Sequence, residues 1–302
     1  MPSDTSISLL NLSKLSEPAD TLIRKISNAA GVLFEPYQIK RVAKAKAEAA
    51  KTQAQSEIEI TDLHRRAARR WIEEEAQRQK NMEDITARAL PQLDEDAKPD
   101  SIEDDWIVNF FDKSRIVSDN QMQDLWSCVL AGEANSPGTY SKRTVNFLSD
   151  LDRTEADLFT KLCGFGWLMG DEGDEEMIPI VFDDKAEIYN TFGINFGTLI
   201  NLQSIGLIQF DSIRGFNSIK LPKSILTHYY GRPLRLNLRK DADNELEIGS
   251  VILTRIGQEL APICGSTQVD GFWEYVQGKW KDYVPSSVQE KHLVSGSGTS
   301  SA

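Results

Sequence analysis

The feature that most constrains this chain is a run from about residue 37 to about residue 90 built from Ala, Lys, Glu, Gln and Arg, the strongest helix formers. Unbroken, such a helix reaches roughly 80 Å. A single globular domain does not cover a rod of that length, so part of it must be solvated, broken or paired with another chain. Thr61-Asp62 is the expected break, because an aspartate there can cap a second helix. Charge changes sign along the way, with Lys40, Arg41, Lys44, Lys46 and Lys51 giving way to Glu57, Glu59 and Asp62. That is the pattern of a solvated helix face. The middle, "KAKAEAAKTQAQSE", has alanine where a coiled coil wants Leu or Ile, so it reads as a spacer with at most a close-packed alanine seam. Large apolar residues return at Ile58, Leu63 and Trp71, which with Arg65 are the candidate interaction residues of the arm.

Ahead of the arm, Ser16, Glu17 and Pro18 signal a helix start. Ala19, Leu22, Ile23, Ile26, Ala30 and Leu33 then recur at three- and four-residue steps, opposite Arg24, Lys25 and Asn28. Residues 19–33 therefore suit core packing, the favoured reading, or peripheral contact with a membrane surface. No stretch approaches the roughly 20 apolar residues of a membrane span, and the first residues lack a charged region followed by a continuous apolar run. The expected location is the cytoplasm. The tail "SGSGTSSA" is low-complexity and is set aside.

Beyond the acidic, proline-bearing linker "QLDEDAKPDSIEDDW", three short helices are expected. The first follows a Ser101/Asp104 capping box and carries Trp106, Ile107, Phe110 and Phe111 inward. The second follows Ser118, with Met122, Leu125, Trp126, Val129 and Leu130 on one face, and the third covers residues 142–151. The period then changes. "TEADLFTKLCGFGWLM" reads as a helix, "MIPIVF" as a strand, "DDKAEIYNTF" as a helix, and "FGTLINLQSIGLIQF" as a helix running into a strand. "SIKLP", "LRLNL" and "LEIGSVILT" are strand-like, and "TRIGQELAPI" closes with a helix. This order is similar to a winged helix over residues 154–263. Such domains commonly end their third helix in Leu-x-x-x-Gly-Leu-Ile and their wing in Leu-Thr-x-x-Gly, matched here by "LQSIGLI" and "LTRIG". Gly206 suits a tight helix-to-strand turn with positive φ.

The expected fold is mainly α with a smaller α+β part: a long N-terminal helical arm, a central helical module and a C-terminal winged-helix-like domain. Its divisions are 1–93, 94–152, 153–265 and a C-terminal segment at 266–302.

A third helix that reads DNA carries Arg, Lys, Asn or Gln toward base edges and phosphates. Here "NFGTLINLQSIG" has no lysine or arginine, only Asn195, Asn201 and Gln203, and "DEGDEE" puts carboxylates ahead of it. The net charge of −12 also confines any nucleic-acid contact to a local patch. Lys220, Lys223, Arg232, Arg235, Arg239 and Lys240, interleaved with Tyr229 and Tyr230, form the candidate patch on the wing. The blander reading, basic residues guarding a hairpin edge, is preferred.

Catalytic signatures are missing from the sequence. His64, His228 and His292 stand at no metal-site spacing from one another or from a cysteine. There is no phosphate-binding glycine loop and no nucleophile elbow. Asp183-x-Lys185, with Asp171 or Asp174 upstream, has the minimal spacing of a metal-dependent nuclease, a pattern that recurs by chance in acidic chains. Cys128, Cys163 and Cys264 lie far apart and read as reduced, buried thiols. No cofactor, metal or enzymatic activity is expected.

The order of "LFEPYQIKRVAKAKAEA", "EIEITDLHRRAARRW", "EDDWIVNFFDKSR", "MQDLWSCVLAGEANSPGTYSKRTVNFLSDL" and "IGLIQF" resembles the bacterial family catalogued as domain of unknown function 2806, over residues 15–265. The resemblance implies a cytoplasmic bacterial protein, often encoded near mobile elements, without an accepted enzymatic activity. The "LFEP" segment and alanine-rich helix are also similar to abortive-infection and other phage-defence proteins. The functional expectation is a non-enzymatic protein that binds a protein partner or its own copies. A nucleic-acid-binding regulator using the wing and arm arginines is the alternative, and membrane-surface association the third.

Overall fold

The computed structural model describes residues 15–31, 62–170 and 175–285. The chain divides into two compact units between Asp150 and Leu151: among the described residues the first is built of helices, and the second combines helices with small antiparallel sheets, so that the whole is an α+β mixture.

The first unit contains α1 (Glu17–Ala30), α2 (Asp62–Ala89), α3 (Asp104–Ser114), α4 (Asn120–Asn135) and α5 (Lys142–Asp150). Ser16 caps α1 as its place predicts, its hydroxyl accepting from the Ala19 N–H at 3.4 Å. Ala19, Leu22 and Ile26 are buried where α1 packs on α3, so this apolar stripe is spent on the core. Lys25 anchors the helix to Asp104 at 2.8 Å. Leu33, Ile58 and the continuity of the arm before Asp62 lie outside the described residues.

Trp106, Ile107, Phe110 and Phe111 are buried as their spacing predicts. Trp106 stacks on Phe110 at 5.1 Å, and Phe110 meets Trp126 of α4 edge-on at 5.1 Å, the arrangements that aromatic quadrupoles favour. Two caps differ from the sequence reading. Ser101 closes the turn Pro99–Ser101, so α3 follows Glu103 without a side-chain cap. Asp119 rather than Ser118 caps α4, its carboxylate accepting from the Met122 N–H at 3.0 Å.

The turn after α4 hangs on a buried carboxylate. Glu133 accepts from the Gly138 N–H at 2.7 Å on one oxygen and from the Tyr140 N–H at 2.8 Å on the other. An amide offers only one acceptor to these two fixed donors, so Glu133→Gln is expected to cost about 2 kcal/mol in urea unfolding.

The second unit opens with α6 (Arg153–Cys163), whose capping box joins Asp152 and Glu155 through bonds of 2.8 and 3.2 Å. The helix stops at Cys163. Residues Gly166–Met169, read from the sequence as its continuation, form β1. Then follow β2 (Glu176–Pro179), the single turn α7 (Glu187–Asn190), α8 (Phe196–Ser204), β3 (Ile208–Phe210), β4 (Phe216–Leu221), β5 (Ser224–Tyr229) and β6 (Arg232–Asn237). β7 (Asn244–Gly249), β8 (Val251–Leu253), α9 (Arg255–Leu260) and α10 (Phe272–Lys279) complete it. The helix expected over 183–192 shrinks to α7 because the Asp183 carboxylate takes the Lys185 N–H at 3.0 Å and folds its own turn.

All strand pairs are antiparallel, with β2-β1-β5-β6 in one sheet, β3 against β8, and β4 against β7. β3 and β4 therefore run out, and β7 and β8 run back, as one ribbon. The β5–β6 hairpin in its middle returns to pair with β1 at Leu168↔His228 and Met169↔Thr227. "LEIGSVILT", read as one strand, is split at Ser250, where Gly249 takes φ 99° and the Ser250 N–H donates to the Val181 carbonyl at 2.7 Å.

Gly206 has φ 90° between α8 and β3, as expected for a turn that a Cβ would strain. The Thr254 hydroxyl donates to the Gly206 carbonyl at 2.6 Å and accepts from the Gly257 N–H at 3.2 Å, capping α9. A Cβ on Gly257 would stand 2.3 Å from the Leu207 carbonyl oxygen. The Thr-x-x-Gly spacing thus seals α9 onto the α8–β3 turn. α10, in a segment for which the sequence reading gave no element, buries Phe272, Trp273 and Val276. Phe272 meets Phe165 edge-on at 4.9 Å, and Trp167 stacks on Tyr229 at 5.3 Å.

Candidate interaction surface

Of the candidate interaction residues, Leu63, Arg65 and Trp71 lie on the first half of α2. Leu63 and Trp71 are each 63% exposed, and with Ala67 they continue the helix face that buries Met82, Ile85 and Ala89 further along. Local ion pairs lace the helix both beside and across from that face. Arg65 lies 3.7 Å from Asp62, Arg69 3.0 Å from Glu73 and Arg70 3.2 Å from Glu74. Such exposed pairs are each worth about 0.5 kcal/mol, and here they leave the arm arginines engaged with their own helix.

The six basic residues expected from the sequence to form one patch do not converge. Arg232 packs its guanidinium 3.6 Å from the centre of the Trp273 ring and bonds Glu274 at 2.6 Å, tying β6 to α10. Lys223 pairs with Asp241 at 2.7 Å. Arg235 reaches Ser224 across the hairpin at 3.4 Å, on the outer face that strand alternation assigns it while Leu234 and Leu236 point inward. Lys220, Arg239 and Lys240 are exposed, but Glu245 and Glu247 are exposed along the neighbouring β7. Positive and negative groups alternate over this ribbon.

The polar residues of α8 and its cap that a base reader would use are mostly occupied. Asn195 caps its own helix, its carbonyl oxygen accepting from the Gly197 and Thr198 N–H groups at 3.1 and 3.3 Å. Gln203 accepts from the Phe210 N–H at 3.0 Å, and Asn201 remains exposed. What α8 presents outward is apolar. Phe196 is 53% and Ile200 44% exposed, one helical turn apart, while Leu199 and Leu202 face the core. Phe192 is exposed just ahead of them, and Phe210 extends the patch with its ring 5.6 Å from that of Phe196.

The chemistry suggested by Asp183-x-Lys185 is a local turn, and Asp171 and Asp174 lie outside the described residues. Cys163 is buried at the end of α6.

A family model described as a protein of unknown function, DUF2806, matches residues 65–277. The chain belongs to this family. No curated protein and no solved structure matches it. The DUF2806 match enters within α2 and leaves within α10, taking in α8 and the whole ribbon. Within this DUF2806 chain the feature that sequence reading missed is the outward Phe196 and Ile200. The lack of lysine and arginine on α8 was visible, but an apolar helix sequence does not say which of its apolar faces is covered.

Proposed function

We propose that this DUF2806 protein is a non-enzymatic interaction module whose second unit is a winged helix turned to protein binding. The single observation that carries this reading is the outer face of α8. In a DNA reader that face is polar and cationic; here it is Phe196 and Ile200, flanked by Phe192 and Phe210. Outward aromatic and aliphatic side chains of this kind suit an apolar segment of a protein partner, since water is released from both sides. The winged-helix assignment is supported by the order α6, α7, α8, β3, ribbon, β8 and by the seal between Thr254, Gly257 and the α8–β3 turn.

Capture of partners from host lysate, quantified by mass spectrometry, tests the reading with the full chain. Phe196→Ser with Ile200→Ser is expected to lower retention of bound proteins by about tenfold or more, the effect of removing central apolar contacts. Arg235→Glu with Lys240→Glu is expected to leave it unchanged. Binding to a fluorescent DNA duplex that falls steeply between about 50 and 200 mM salt, and that the wing reversal abolishes, would overturn the proposal in favour of nucleic acid.

A further inference from the structure

Every residue of 62–74, the first half of α2, is exposed, and the helix becomes buried only from Asn81 onward. About 20 Å of helix is thus supported by its own backbone and by ion pairs within the helix, which is marginal support in water for so few turns. Trp71 is its largest apolar group, with Leu63 two turns before it and Ala67 between them on the same face.

The charges on this stretch are segregated. Arg65, Arg66, Arg69 and Arg70 come first, with no carboxylate over residues 63–72, and Glu73, Glu74 and Glu75 follow. Trp71 stands at the junction. A second copy running in the same direction would set arginine against arginine and glutamate against glutamate. A copy turned end for end about Trp71 sets each basic block against the other's acidic block, the self-complementarity that a twofold interface requires. Arg70 and Glu74 flank the apolar face one turn apart. They lie 3.2 Å from each other within the helix, yet their side chains stay 78% and 46% exposed, so the guanidinium has donors left for a second carboxylate.

We infer that the first half of α2 pairs with the same segment of a second copy of this chain, antiparallel, about a twofold axis beside Trp71. The two Trp71 side chains form the apolar centre with Ala67, Leu63 closes each end, and Arg70 of each copy reaches Glu74 of the other. This interface is independent of the apolar surface on α8. A single helix pair four turns long is at the small end of specific interfaces, so the dimer depends on concentration, with an expected dissociation constant of about 10–100 µM.

Sedimentation equilibrium of the full chain from about 1 to 500 µM tests the inference, with circular dichroism showing that each variant is folded. Trp71→Ser is expected to weaken the dimer about tenfold or more. Arg70→Glu and Glu74→Arg each place like charges across the axis, and each alone is expected to weaken it about tenfold. An equimolar mixture of these two variants brings opposite charges together only between unlike chains, so it is expected to dimerise about as well as the wild type. Damage confined to each chain's own helix would not be repaired by mixing. Phe196→Ser with Ile200→Ser is expected to leave the dimer intact. A wild-type monomer at the highest concentration, an unchanged constant for Trp71→Ser or for both charge reversals, a mixture no tighter than its components, or a dimer that the α8 changes abolish overturns the inference.

Discussion

Gly249→Ala is expected to destabilise the second unit by about 3 kcal/mol or more, enough to remove its folded population in a marginal domain. Gly249 takes φ 99°, and a Cβ there would stand 2.3 Å from the Val181 carbonyl oxygen, 2.5 Å from its carbonyl carbon and 2.9 Å from its nitrogen. All three are backbone atoms and cannot rotate away. Nor can Val181 retreat cheaply, because its carbonyl also takes the Ser250 N–H at 2.7 Å and the Ser250 hydroxyl at 3.0 Å. Gly231→Ala is the control. It too has positive φ, 78°, but its Cβ would meet nothing within 4 Å, so only the backbone strain of about 1 kcal/mol is expected. Urea unfolding of both variants, followed by circular dichroism, separates steric conflict from strain.

The second large effect belongs to the first unit. Phe110→Ala is expected to cost about 3–5 kcal/mol, because the ring is fully buried between Trp106 and Trp126 and its loss leaves a cavity those rigid neighbours cannot refill. Trp71→Ala, a larger truncation at a 63% exposed site, is expected to stay within about 0.5 kcal/mol in the isolated chain. Equal losses at the two positions, measured by urea unfolding, would mean that the first half of α2 is packed.

The contrast between these positions shows how far sequence reaches. Phe110 and Trp71 are both aromatic residues in strongly helical runs, and the spacing of Trp106, Ile107, Phe110 and Phe111 correctly placed the former inward. The Ser16 cap and the Gly206 turn were legible because their chemistry is local, within a few residues of the group they satisfy. β1 was not. "GWLM" is as apolar as the helix before it, and only pairing with β2 and with β5, distant in the chain, makes it a strand. The same distance hid the sites. Nothing near Arg232 announces Trp273; that pair exists because the fold returns the chain to itself.

The ribbon from β3 to β8 has a consequence for how this protein can vary. Here Thr227 and Tyr229 of β5 and Leu234 and Leu236 of β6 are buried, β5 is hydrogen-bonded to β1, and Arg232 is locked to α10. The ribbon is thus a wall of the core. It cannot be shortened without opening that core, and even its turn at residues 239–243 is held to length, because the buried Asn244 side chain bonds the N–H and the carbonyl of Lys240 at 2.9 and 2.8 Å.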